Sequence, residues 1–162
     1  MGAPPSYRRG VAGDTGPDPG RARSRRAVPA RRDVVDHALR RRAVLADLRA
    51  GRADRLDACD ASPYLLRAAE RLGVRTDRPC PVCARQPLWE VLWVYGEAVG
   101  DVDGSARTTE QVTALAKERP DFAVYRVEVC QGCGWNHLVQ TWRTGTPGTP
   151  PARRSRRTAA DP

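Results

Sequence analysis

Cys80-Pro81-Val82-Cys83 and Cys130-Gln131-Gly132-Cys133 hold four of the five cysteines in this 162-residue chain. Two residues between cysteines let both thiolates turn onto one ion. A second hook alongside completes a tetrahedral shell of four sulfurs, the closed arrangement of structural Zn²⁺. Residues 84–129 put 46 positions between the hooks, against roughly 15–20 in the short zinc-ribbon pattern. The pattern therefore reads as a zinc ribbon with an insert between its knuckles and with Cys80, Cys83, Cys130 and Cys133 as ligands. Four thiolates leave no coordination position for water or substrate, so hydrolysis at this metal is not expected.

Working outward, residues 88–95 (LWEVLWVY) alternate as a strand, with Trp89, Val91, Trp93 and Tyr95 on one face and Leu88, Glu90, Leu92 and Val94 on the other. Residues 122–129 form a second strand that runs directly into Cys130, and residues 135–142 a third. Gly132 and Gly134 supply positive-φ freedom at the second knuckle. The polar, Gly-rich residues 96–107 read as a surface loop, lacking both the P-loop and the EF-hand signature. Thr108 and Gln111 then make a capping box for a short helix with Val112, Leu115 and Ala116 facing inward and Pro120 beyond its end.

Ahead of the hooks, two helices are expected. The first runs over residues 33–51, capped by Asp33, striped by Val35, Leu39, Ala43 or Val44, Leu45 and Leu48, and stopped by Gly51. The second is opened by Ser62-Pro63 and carries Tyr64, Leu65, Leu66, Ala68, Ala69 and Leu72 up to Gly73. They are expected to pack on one another as a helix pair. Read instead as a helix-turn-helix, the second would present only Arg67, Glu70 and Arg71.

The formal net charge of +9 is unevenly placed. Residues 1–32 hold eight Arg and two Asp, and residues 144–162 four Arg and one Asp, which leaves 16 basic and 16 acidic residues between them. Both flanks are rich in Pro, Gly, Ala, Ser or Thr and are expected to be disordered basic tails. Arg21, Arg23, Arg25 and Arg26 in one, and Arg153, Arg154, Arg156 and Arg157 in the other, are candidate phosphate contacts through non-specific attraction. Residues 33–143 are then one α+β domain: a helical part (33–76), and a zinc-ribbon part (77–143) with a three-stranded antiparallel sheet and an inserted helix. That second part carries seven basic and nine acidic side chains, which argues for a protein partner, or a nucleoprotein reached through the tails, over a sheet that grips nucleic acid. The four Trp read as core rather than as stacking platforms.

Paired hooks, the absence of an apolar run of roughly 18 residues, and an N-terminus without an apolar signal core fit a cytoplasmic protein that makes no membrane contact. Cys59, the fifth cysteine, reads as a small buried hydrophobe without a basic neighbour. His37 and His137 read as neither ligands nor bases. The competing reading is a thiol-based redox enzyme or sensor using the C-x-x-C pairs or Cys59. A thioredoxin-type dithiol, however, wants a strand before it and a helix after it, and here coil precedes the first hook and a strand follows.

The segments DVVDHALRRR from Asp33, CDASPYLLRAA from Cys59, CPVC from Cys80, VYG from Val94, GSART from Gly104 and CQGCGWNHL from Cys130 resemble an uncharacterised family of small actinobacterial proteins, a domain of unknown function. The resemblance covers roughly residues 33–143 and leaves both tails outside. It implies a cytoplasmic protein and supplies no catalytic residues. Taken together, the expectation is a non-enzymatic zinc-ribbon interaction module, associated with transcription or translation machinery, whose basic tails add non-specific affinity for nucleic acid.

Overall fold

Two hairpins laid side by side bring the hooks together. The computed structural model describes residues 30–146. Strand β1 (Arg32–Asp36) leads into helix α1 (Ala38–Arg49), the short α2 (Arg55–Ala58) and α3 (Pro63–Leu72). Then come β2 (Val74–Pro79), β3 (Pro87–Tyr95), a 3₁₀ segment (Glu97–Val102), β4 (Ser105–Arg107), α4 (Thr109–Glu118), β5 (Phe122–Val129) and β6 (Asn136–Thr144). All six strands lie in one antiparallel sheet of order β1-β6-β5-β3-β2, with β4 on β3. The first hook is the turn of the β2–β3 hairpin, the second that of β5–β6. Because β3 and β5 pair antiparallel, with Trp89 opposite Val129, both turns emerge at the same end of the sheet. The long insert runs out along β3, makes its excursion at the far end and returns along β5.

Strand alternation sorts the core. The odd face of β3 (Val91 and Trp93), with Val129, packs on Ala68 and Ala69 of α3. The even face carries Val94, with Phe122, Val124 and Trp142, against Val112 and Ala116 of α4. Further along that face Leu88 packs with Leu45 of α1, Trp135 and the buried Cys80 and Cys130. Three of the four Trp are buried and Trp89 is partly so, as a core role requires.

The mixed α/β character, the three long strands, the Ser62 cap and the Thr108–Gln111 capping box agree with the sequence reading. Several expectations do not. The sheet has six strands, not three: β1 and β2 are edge strands exposed enough to lose any apolar alternation, and β4 is only three residues long, too short to show one. The first helix starts at Ala38. Asp33 is no cap but a left-handed residue (φ +48°) within β1, and the Asp36 carboxylate accepts the Ala38 N–H (2.7 Å). Residues 32–36 are drawn to the open edge of β6, where Arg32 sits opposite Arg143 and bridges to Asp121 (2.7 Å). The expected stripe shrinks to Leu45 with Val44 and Leu48; Leu39 is 74% exposed. The helices are not a pair either, since alternation puts α1 and α3 on opposite faces. Of the expected tails, the described residues take in only 30–32 and 144–146, and of these Arg32 and Thr144 belong to the sheet.

What holds α1 down is a buried acid. Glu128 has no exposed surface. One carboxylate oxygen accepts from Arg41 Nε of α1 (2.6 Å) and from Trp135 Nε1 (2.9 Å); the other has Arg78 of β2 at 3.7 Å. Breaking such a pair leaves a guanidinium without its partner. Glu128→Ala should destabilise the fold by about 3 kcal/mol, measured as the shift in urea midpoint at constant m-value, and Glu128→Gln should lose less because an amide oxygen still accepts.

Candidate metal centre

The two turns are built alike. In the first, Cys80 N–H donates to the Gln86 carbonyl (2.8 Å) and Ala84 N–H to that of Cys80 (2.9 Å). In the second, Cys130 N–H donates to Trp135 (2.8 Å) and Gly134 N–H to Cys130 (3.0 Å). The residue after each second cysteine is left-handed: Ala84 at φ +53° and Gly134 at φ +77°. Gly132 is not; a Cβ there would meet the Gln86 side chain at 3.0 Å, so its role is space rather than the expected backbone freedom. Backbone N–H groups turn inward onto sulfur in both knuckles. Val82 and Cys83 donate to Cys80, and Gly132 and Cys133 to Cys130. Arg85 donates to Cys83, and Trp135 to Cys133.

The four Sγ atoms lie within 4.8 Å of one another. Cys80 and Cys133 are 3.6 Å apart, and Cys83 and Cys130 3.7 Å. A tetrahedron with Zn–S arms of about 2.3 Å has edges of about 3.8 Å, which these two edges match, and every other edge is no longer than 4.8 Å. All four are free thiols. Their surroundings are apolar, and the inward N–H groups supply the partial positive charge that thiolates need. Among the described residues this is the single group of Cys, His, Asp or Glu donors close enough to share an ion. No helix there is long and apolar enough to cross a membrane.

The remaining residues of interest sort clearly. His137 is buried and stacked on Trp135 (5.9 Å, 12°), and burial pushes its pKa below the usual imidazole value; it is outside the sulfur cluster. His37 shares a polar cavity of about 310 Å³ with it. Cys59 is half-buried with its Sγ 3.9 Å from that of Cys133. It has a basic neighbour after all: Arg55, one turn earlier on α2, is hydrogen-bonded to the Cys59 side chain, and that contact raises the guanidinium pKa. The i, i+4 spacing of the two residues was the available signal. The candidate phosphate contacts of both tails lie outside the described residues. The Glu128 network escaped the sequence reading because an acid in a strand normally marks a solvent face.

In the metal-free site, the Arg85 N–H holds Cys83 down to about 6. Burial pushes Cys133 up to about 11 and raises Cys80 and Cys130 above the usual thiol value. Between about pH 6 and 9 the site therefore carries one thiolate and three thiols, and metal uptake must expel about three protons. Apparent zinc affinity should rise with pH across that window, by about three log units per pH unit, in chelator competition. Gly134 gives a second check. A Cβ there would stand 2.7 Å from the Cys59 carbonyl, whereas the left-handed Gly51 has open space around it. Gly134→Ala should lose more than the roughly 1–2 kcal/mol expected of Gly51→Ala, read by denaturation of the zinc-loaded protein.

A model of a family described as "Family of unknown function (DUF5318)" matches residues 28–159. The match extends past the resemblance at both ends and takes in the C-terminal arginine cluster. Uncharacterized proteins of Mycobacterium bovis and Mycobacterium tuberculosis are each 44% identical to this chain, over 78% of it and the whole of the relative. No solved structure matches.

Proposed function

The chain belongs to this family of unknown function, and we propose that it is a non-enzymatic interaction module of zinc-ribbon type. Zinc on Cys80, Cys83, Cys130 and Cys133 would clamp two hairpin turns and fix the surfaces beside them. The observation that carries this reading is the sulfur geometry: four donors within 4.8 Å, with short edges at zinc–thiolate spacing, on two like-built turns. A closed four-sulfur shell is structural rather than catalytic. Docking on transcription or translation machinery is an analogy with the tasks other ribbons perform. It draws support from arginine-rich flanks able to add phosphate attraction.

Purified protein should carry one zinc per chain by metal analysis, with a single alkylatable thiol, Cys59, rising to five after chelation. Cys83→Ser and Cys133→Ser should each lose the metal and the cooperative unfolding transition. A metal-free chain with two reversible dithiols would contradict the proposal.

One observation favours a second reading, a thiol sensor: the 3.9 Å between Cys59 and Cys133. Hydrogen peroxide would oxidise these two thiols to a disulfide, two waters being formed, and remove one zinc ligand. Zinc release on peroxide treatment that Cys59→Ser abolishes would support this reading; release that is unchanged in that variant would exclude it.

A further inference from the structure

The outer face of α3 and the short strand β4 enclose a groove of about 410 Å³. Three arginines line it: Arg67 and Arg71 from α3, and Arg107 from β4. No carboxylate lines it. The ion pairs of the described residues engage Arg32, Arg41, Arg52, Arg78, Arg126 and Arg143, and none of the three groove arginines. Arg107 donates once, to the neighbouring Ala106 carbonyl (2.8 Å). Arg67 and Arg71 are four apart on one helix face, and the neighbouring Glu70 does not line the groove.

Tyr64 belongs to the same helix stripe, three residues before Arg67. The residue is 55% exposed, although its ring is seated against Trp93 (5.5 Å, 58°). A ring fixed in place with one side open is a stacking platform beside three cations. The floor between them, Ala68 and Ala106, is buried and small, so a ligand can approach the backbone closely.

We propose that this α3–β4 groove binds single-stranded nucleic acid, with Arg67, Arg71 and Arg107 on successive phosphates and Tyr64 stacked on a base. Sequence-tolerant strand binding uses this combination of a basic groove with an aromatic platform. The helix rise from Arg67 to Arg71 is about 6 Å, comparable with the repeat of an extended strand. A duplex would leave Tyr64 without an unstacked base. Charge counted part by part hid this site, because Arg67 and Arg71 belong to the helical part and Arg107 to the zinc-ribbon part, where three of the nine acids are committed elsewhere: Glu90 and Glu128 to Arg78, Asp121 to Arg32 and Arg143. The proposal names a partner class for the module above and rests on that reading only through the seating of α3. Gln131 of the second knuckle donates from its side chain to the Leu66 carbonyl (2.8 Å), and Ala61 N–H donates to Gly134 (3.0 Å).

The test uses the full chain, tails included, and a labelled 12-nucleotide oligo(U), with anisotropy followed from 50 to 200 mM NaCl. Changing Arg67, Arg71 and Arg107 together to Ala should reduce the log–log salt slope by about 2, since each phosphate contact on a single strand contributes about 0.7. The triple change to Lys should restore the slope. Tyr64→Ala should weaken binding about tenfold with the slope unchanged, and should leave duplex binding unaltered. Changing Arg153, Arg154 and Arg156 to Ala should lower the slope while keeping the Tyr64 effect. Zinc content is measured on every variant, so failure of the metal reading appears as lost stoichiometry rather than as a changed slope. No oligo(U) binding, a groove triple that matches the parent, a Tyr64→Ala variant with full affinity, or displacement by poly-glutamate at equal charge would each overturn the proposal.

Discussion

The antiparallel pairing of β3 with β5 is the constraint on which everything else depends. It runs from Trp89–Val129 to Tyr95–Ala123 and places the β2–β3 and β5–β6 turns at one end of the sheet. Sequence separation between the hooks then becomes irrelevant to their meeting. Any excursion can be spliced in at the far end, as the 3₁₀ segment, β4 and α4 are, without moving a sulfur. The pairing also works in reverse. An ion shared by the two turns would resist sliding of β3 on β5, where a one-residue slip would turn Val91 and Trp93 away from α3.

The knuckle end is reinforced by polar contacts that each join a different element to it. Glu128, two residues before Cys130, takes Arg41 from α1, Arg78 from β2 and the indole of Trp135. Gln131 and Gly134 take α3 and the segment ahead of it. The second knuckle is therefore the hub, and the first is attached mainly through the β2–β3 ladder and the packing of Cys80 and Val82 with Leu45 and Leu48. Ala84 fits this asymmetry. It accepts a left-handed backbone that Gly134 adopts without strain, and its own position is exposed, where no neighbour forces a glycine.

How much of this was readable from residues alone varies with the strength of the local signal. The two cysteine hooks, the three long strands and the two well-capped helices were written in spacing, alternation and capping chemistry, all of which act within a few residues. The short strands were not. β1 exists because β6 has an open edge and Asp121 stands ready for Arg32, and neither fact is local to residues 32–36. The first helix was read too long because Val35 extends its apolar period by accident; it is half-exposed in β1. Arg67 and Arg71 were legible on one face of the second helix, but their meeting with Arg107 depends on the pairing of β4 with β3, which no local pattern shows.

The pairing of β1 with β6 has a geometric consequence. Arg32 lies opposite Arg143, both guanidinium groups converge on Asp121, and Arg32 also reaches the Gly145 carbonyl (3.3 Å). The chain therefore enters and leaves the described sheet at the same spot. The arginine-rich flanks are attached at one place, so if they meet a polyanion as proposed, their charge would act as a bivalent ligand with a common origin. Once one flank had met it, the other would already be held at high effective concentration beside it. Two modest and non-specific attractions would then multiply rather than act separately, with Asp121, a single surface carboxylate, setting that geometry.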